Sequence, residues 1–240
     1  MKINFPLLAL AVGAFAIGTT EFSPMGFLPE IANDLSVSIP QAGLLISAYA
    51  VGVMIGAPLM TLWLARFPKK TALILLMAIF TIGNVLATVA PDYMSLMGAR
   101  LITSLNHGAF FGLGSVVAAS VVPKDKQASA VAMMFMGLTI ANIGGVPLAT
   151  WLSQNTSWRM AFAAISILGI MTMLALWKAL PQDHDVVKPN VAKGLRVLTR
   201  APVVLALLTT VMSAAQCLRY EPTMPRVYTY LCRHHRKPSP

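Results

Sequence analysis

"FAIGTTEFSPMGFLP", residues 15–29, sets one carboxylate, Glu21, inside a run that is otherwise apolar or uncharged. The block around it extends from about Phe5 to Leu28, long enough for a helix to cross a hydrocarbon core of ~30 Å. The whole chain has the same character. Of 240 residues, 57% are hydrophobic and only 11% charged, with a mean hydropathy of +0.71, outside the range of soluble globular domains. Lipid is therefore the solvent in which this chain folds. An acid in such a span is costly to bury, and that makes Glu21 a functional candidate from the outset.

Read with a window of about 19 residues, the chain gives six blocks of spanning length: Phe5–Leu28, Gln41–Leu64, Thr71–Val89, Tyr93–Val121, Ala128–Leu152 and Met160–Trp177. They are long enough to cross the hydrocarbon core as helices, so the expected class is an all-α integral membrane protein. Lys2 ahead of Ala11, Gly13 and Ala14 also fits a signal peptide. The block runs on through Phe22, Met25 and Phe27 with no soluble domain behind it, so we expect it to be retained. The expected organisation is a six-helix bundle over 1–180, a basic cytoplasmic loop over 181–200, a partial seventh segment over 201–217 and a basic, disordered tail over 218–240.

Lys and Arg are retained on the cytoplasmic side of short loops. The loop after the first span holds Glu30 and Asp34 without a base, the next holds Arg66, Lys69 and Lys70, the third only Asp92, and the fourth Lys124 and Lys126. The fifth carries the lone Arg159, and the sixth holds Lys178, Lys188, Lys193, Arg196 and Arg200. The N-terminus and even-numbered loops are expected in the cytoplasm. The net charge of +10 then reflects topology and contact with membrane lipid, not nucleic-acid binding.

The second span contains "IGAPLMTLWL" (55–64) and the fifth "IGGVPLATWL" (143–152), with Ile, Gly, Trp and Leu coinciding. This suggests two three-helix repeats of inverted topology, as transporters are often built. Spans one and four would then be equivalent, and each carries an intramembrane charge: Glu21, about 24 Å along its helix, and Arg100, about 10 Å into its own. Both fall in the outer half at similar depth. Glu21 is expected to be neutral or paired with Arg100 in a polar cavity. Arg100, Ser104, His107 and Phe111 share one helical face, Asn106 is adjacent, and His107 falls near the midplane, where it either binds substrate, passes a proton or serves as an interhelical hydrogen-bonder. In the fifth span Gly137, Ala141 and Gly145 recur every four residues, Asn142 and Gly144 lie between them, and Pro147 can bend the helix. That pattern suits a gate or a kinked packing helix.

Residues 1 to about 214 resemble the N-terminal half of a major facilitator superfamily transporter of the drug and sugar efflux group, similar to bacterial arabinose-efflux-permease-like proteins. The resemblance is carried by "GTTEFSPMGFLP" (18–29), "SIPQAGLLISAYAVGVMIGAP" (38–58), "LNHGAFFGLG" (105–114) and "ANIGGVPLATWL" (141–152). It implies the N-terminal six-helix bundle of that fold plus a partial seventh helix. It also implies a second bundle in relatives, alternating access and proton-driven export of a small-molecule substrate across a bacterial inner membrane. By the same resemblance Arg100 falls at the family's basic position in its fourth helix, and the Gly137–Pro147 stretch matches the antiporter motif. Arg66, Lys69 and Lys70 match the basic part of the loop signature, in which Ala65 and Pro68 replace the family's acid and glycine.

The tail from Gln216, rich in Arg, His and Pro, departs from the family, and the expected cause is a frameshift and a truncated product. Such a product is either a non-transporting fragment or, if the short form is functional, a half-transporter acting as a homodimer or an interaction protein. No enzyme, cofactor or metal is expected: there is no Gly-rich phosphate loop and no nucleophile–His–acid arrangement. Cys217 and Cys232 lack ligand spacing, and His234 and His235 are a weak metal signal.

Overall fold

The computed structural model describes residues 4–181. The expected loop from 182, the segment at 201–217 and the tail with Cys217, Cys232, His234 and His235 lie outside the described residues. In chain order the elements are α1 (Phe5–Gly26), α2 (Leu28–Asp34), α3 (Ile39–Leu64), α4 (Lys69–Thr88), α5 (Tyr93–Ser104), α6 (His107–Ser120), α7 (Gln127–Ile140), α8 (Val146–Asn155) and α9 (Trp158–Ala179). A 3₁₀ turn at Lys124–Lys126 precedes α7, and a π-helical turn over Ala141–Gly145 joins α7 to α8. Among the described residues every element is helical, and six helical stretches are long and apolar enough to span a membrane.

Local sequence sets the starts. Ser38 accepts from the Gln41 backbone while the Gln41 side chain accepts from the Ser38 N–H, a reciprocal capping box that opens α3. Asp92 and Ser95 open α5 in the same way. Each box satisfies two otherwise orphan donors at an end where the chain re-enters lipid. Three spans differ from uninterrupted rods. The first stops at Gly26, and Phe27 leaves helical geometry before Pro29 restarts the short α2. The fourth breaks at Leu105–Asn106. The fifth carries the π turn within its "ANIGG".

With no hydrophobic drive between helices in lipid, close packing through small residues decides which helices meet. A Cβ on Gly137 would run into the Ala11 carbonyl of α1, and one on Gly145 into Thr19 and the Phe15 ring. On the other side, a Cβ on Gly52 would meet Ser104, and one on Gly56 would lie 2.9 Å from the Leu105 Cα. Span five therefore seats on span one as span two seats on span four, the relation that a three-plus-three repeat requires. Gly169 on α9 seats against Phe80 and Thr81 of α4, pairing the remaining third and sixth spans. In the aligned decapeptides Gly56 matches Gly144, yet the packing glycine of span five is Gly145. A Cβ on Gly144 would meet nothing within 4 Å.

Arg159, the base that stood out in the fifth loop, lies in the first turn of α9. Its Nη1 donates to Asp34 Oδ2, its Nη2 donates to the Ala90 carbonyl at 3.0 Å, and Trp158 Nε1 donates to the same Asp34 oxygen at 3.0 Å. This clamp joins the ends of spans one, three and six. At the opposite end Lys70 Nζ donates to the Leu180 carbonyl at 2.7 Å.

Gly137→Ala should lower unfolding stability in detergent by about 1–3 kcal/mol, since the blocking atom is backbone and cannot step aside, whereas Gly144→Ala should change it by less than about 0.5 kcal/mol. Thermal unfolding of the two variants checks the pair. The Arg159 guanidinium, then Trp158, hold the Asp34 carboxyl below its ordinary range. A depressed acid contributes stability above its unfolded pKa and loses it as pH falls through the folded value. The melting-temperature gap between wild type and Asp34→Asn should therefore be constant from neutrality to about pH 4 and shrink below it.

Candidate functional site

The site is assembled around Arg100 on α5, which is 1% exposed. Its Nη1 donates to the Thr20 carbonyl at 3.0 Å, and its guanidinium lies 4.2 Å from the centre of the Tyr49 ring and 5.9 Å from that of Phe162. The charge is thus held by a backbone dipole and two aromatic faces. Its Nε and Nη2 are buried and have no protein acceptor.

Tyr49 of α3 connects this arginine to the imidazole. The Tyr49 hydroxyl and His107 Nδ1 are 3.2 Å apart, and His107 Nε2 lies 3.7 Å from Glu21 Oε2. With the proton on Nε2, the tyrosine hydroxyl donates to Nδ1; with both nitrogens protonated, the imidazolium donates to the tyrosine oxygen and faces the carboxylate. Since Thr20 precedes Glu21, the set closes on itself: Arg100, Tyr49, His107, Glu21 and the Thr20 carbonyl. Thr20 Oγ1 donates to Asn84 Oδ1 at 2.7 Å, and Asn84 Nδ2 donates to the Phe80 carbonyl at 2.9 Å, which ties the set to α4. The Glu21 and His107 side chains are 27% and 14% exposed, so the carboxylate stands at the open side of the cluster and the guanidinium at its closed side.

The local fold explains these positions. The break at Leu105–Asn106 separates α5, which carries Arg100, from α6, which starts at His107. Beyond it an aromatic row continues, with His107 against Phe111 at 5.1 Å and Phe111 stacked on Phe135 of α7 at 5.2 Å. Asn106 is fully buried at the break, and neither its amide nitrogen nor its oxygen has a protein partner. A buried amide with all its side-chain hydrogen bonds unmade is expensive in an apolar medium. Asn106 and the free edge of Arg100 are therefore, within this cluster of described residues, buried polar groups with unused capacity.

Glu21, Arg100 and His107 come together; of the two expected alternatives for Glu21, neutral or paired with Arg100, the direct pair is not formed: the near partner of Glu21 is His107, while Arg100 bonds the neighbouring backbone. Gly137, Ala141 and Gly145 pack on α1 as the four-residue spacing implies. Asn142 does not join them. It is exposed, and its Nδ2 donates to the Leu138 carbonyl one turn back at 3.2 Å. Pro147 is likewise exposed, at the start of α8. The loop residues belong to the basic end: Arg66 is exposed, its Nε donating to the Trp63 carbonyl at 2.8 Å, and Lys69 and Lys70 open α4. Tyr49, Thr20 and Asn84 were missed from sequence. Asn84, a lone amide in an otherwise apolar span, was the legible signal among them. Among the described residues no three His, Cys, Asp or Glu side chains are grouped to hold a metal.

Comparison with known proteins shows the family. The family model "Major Facilitator Superfamily" matches residues 10–231, running past Gln216, from which the tail is expected to depart from the family. The chain is 64% identical over 231 residues to "Inner membrane transport protein YdhP" of Escherichia coli (strain K12), covering 96% of this chain and 58% of that protein. It is 40% identical over 196 residues to "Putative transporter AraJ" of the same strain, covering 82% of this chain and 50% of that one. To "Probable sugar efflux transporter" of Pasteurella multocida (strain Pm70) it is 30% identical, covering 93% and 56% respectively. The chain thus spans only part of the length of the curated relatives it matches. Among solved structures, the partially occluded, inward-open xylose transporter XylE of E. coli superposes with a TM-score of 0.61 at 18% identity, over 74% of this chain and 48% of that one, a likeness of fold alone. With six membrane-length helices in repeat-related pairs and a family match over most of its length, the chain belongs to the major facilitator superfamily.

Proposed function

We propose that this chain supplies the N-terminal half of a proton-coupled exporter of sugars or small drug-like molecules in a bacterial inner membrane, with its N-terminus and even-numbered loops in the cytoplasm and no enzymatic chemistry of its own. One observation carries the reading: a carboxylate, an imidazole, a phenol and a guanidinium are linked in sequence inside a membrane bundle. Ionisable groups are retained there where they serve a transport path. Glu21, on the open side, exchanges the proton with His107. Tyr49 accepts or donates at Nδ1 as the imidazole changes state, and Arg100 remains a fixed positive charge whose unused N–H groups, with Asn106, meet oxygen atoms of the substrate. The Gly137–Pro147 segment, with Ala141, Asn142, Gly144 and Gly145, acts as the gate, its π turn giving span five a place to flex. Arg66, Lys69 and Lys70 form the basic part of the loop signature between spans two and three.

Residues 1–180 form the bundle in this reading, followed by a central loop at 181–200, a seventh segment at 201–217 and a tail. A second bundle is needed. Only 22% of the apolar stretch is buried in spans two and five, against 39–56% in the other four, so these two offer the faces for it. In a longer protein the rest of the chain provides that bundle; for the chain by itself, the alternatives are a homodimer or a fragment that does not transport. Native mass and cross-linking between span-two faces separate them: a stable, specific dimer supports the homodimer, and a monomer that moves nothing supports the fragment.

Joined to the second half of the E. coli relative YdhP and reconstituted in vesicles, the chain should lose pH-gradient-driven efflux with Glu21→Gln while substrate exchange without a gradient persists. Unchanged proton coupling would remove Glu21 from the mechanism. Tyr49→Phe, which deletes one hydrogen bond worth about 1 kcal/mol, should shift the pH profile of transport and leave the folded yield intact. Tyr49→Leu, which also strips the ring from Arg100, should lower thermal stability by about a further 1–2 kcal/mol.

A further inference from the structure

Pro24 lies inside α1 and is buried. Proline has no N–H, so the carbonyl four residues earlier, that of Thr20, is without its ordinary helical donor. In lipid such a carbonyl cannot be left to water, and a proline is kept in a spanning helix where a neighbour supplies what the helix lacks. Here the neighbour is Arg100, whose Nη1 donates to the Thr20 carbonyl at 3.0 Å from α5. Ser23, the next hydroxyl along the same helix, does not serve: its Oγ is buried and makes no hydrogen bond. The proline that removes one donor and the arginine that brings another thus act on one oxygen atom.

The residue that carries this oxygen is also held from the side. Thr19, Thr81 and Thr103 turn their hydroxyls back to the carbonyl four residues earlier on their own helices, each at 2.8 Å. Thr20 does not. Its Oγ1 donates across to Asn84 Oδ1 at 2.7 Å, and Asn84, itself 1% exposed, is tied through Nδ2 to the Phe80 carbonyl of α4. The third span therefore grips the first at the residue whose carbonyl the proline has freed. Glu21 follows next in the chain, and a carboxylate is the stronger partner for a guanidinium. Nη1 nevertheless bonds the neutral backbone oxygen, and Glu21 Oε2 lies 3.7 Å from His107 Nε2.

We infer that Pro24 is a positioning residue for this site: by leaving the Thr20 carbonyl without a helical donor it gives Arg100 a neutral acceptor, which keeps the arginine off Glu21 and the carboxylate open to His107. The consequence for transport rests on the proposed proton exchange between Glu21 and His107. The choice of acceptor rests on the geometry alone. A fixed positive charge is in this way stationed one residue from the carboxylate without closing an ion pair on it.

Pro24→Ala returns an N–H to the helix at this carbonyl, in competition with Arg100. The test is a thermal-unfolding cycle on the full chain in detergent, with wild type, Pro24→Ala, Arg100→Met and the double variant. The gain in helix propensity is common to both backgrounds and cancels in the cycle. In Arg100→Met the Thr20 carbonyl has lost its donor, so Pro24→Ala should raise the melting temperature there by about 2–4 °C more than in wild type, the contribution of one hydrogen bond. Equal gains in the two backgrounds would overturn the assignment. A second measurement needs single variants only, should Arg100→Met fail to fold. At one neutral pH, the ¹⁵N resonances of the His107 imidazole should move in Pro24→Ala toward those of Glu21→Gln, as Arg100 turns to the carboxylate. Pro58→Ala, which removes an exposed proline from α3, should leave them in place. A His107 spectrum that Pro24→Ala does not change, or that Pro58→Ala changes equally, would also overturn it. Neither measurement reads transport, so failure here is distinguishable from failure of the proton-coupling proposal.

Discussion

A guanidinium buried in a membrane-spanning helix is the constraint on which the remaining structure depends. Arg100 can be neither solvated nor moved to the surface, because it lies well inside α5 and is 1% exposed. It therefore fixes what surrounds it: a backbone carbonyl from α1, a tyrosine face from α3 and a phenylalanine from α9. Three other spans are held in register with the fourth by one charge. Tyr49 then serves twice, with its ring under Arg100 and its hydroxyl on His107, so the arginine's burial also orients the imidazole toward Glu21. Structural and chemical roles are coupled here, and removing the ring should disturb both.

The second organising feature is the distribution of small residues. Glycines on span five seat it on span one, and glycines on span two seat it on span four. The two least-buried spans, two and five, occupy equivalent places in the repeat, which leaves their outer faces for another bundle. The break in span four falls where Gly56 approaches the Leu105 backbone, and the π turn in span five falls where Gly145 approaches Thr19. Two of the three helix irregularities thus fall at glycine-mediated close approaches, beside the polar cluster in one repeat and at the proposed gate in the other. Close approach leaves little room for a regular, bulky helix surface, and glycine and a local change of helical winding relieve it.

Much of this was legible in the sequence. The six spans follow from length and hydropathy, and Glu21, Arg100 and His107 follow from the cost of placing such groups in lipid. What composition could not give was partnership. Glu21 and Arg100 at similar depth allowed an ion pair as one alternative, yet similar depth is not contact, and the Thr20 carbonyl takes the arginine instead. Tyr49 was hidden because a tyrosine in an apolar span resembles packing until its neighbours are known. Gly144 and Gly145 are indistinguishable in a pattern of small residues, and only the rotation of the helix decides which one touches α1. Asn142 carried a polar signal but satisfies itself on its own helix.

The central claim is that Glu21 and His107 share a proton path. The most direct measurement is ¹⁵N NMR of the His107 imidazole in the chain held in lipid nanodiscs, assigned by its loss in His107→Gln and titrated in wild type and in Glu21→Gln. The account predicts that neutralising the carboxylate moves the His107 titration and changes its tautomer balance. An imidazole that titrates identically with and without the Glu21 charge would contradict it.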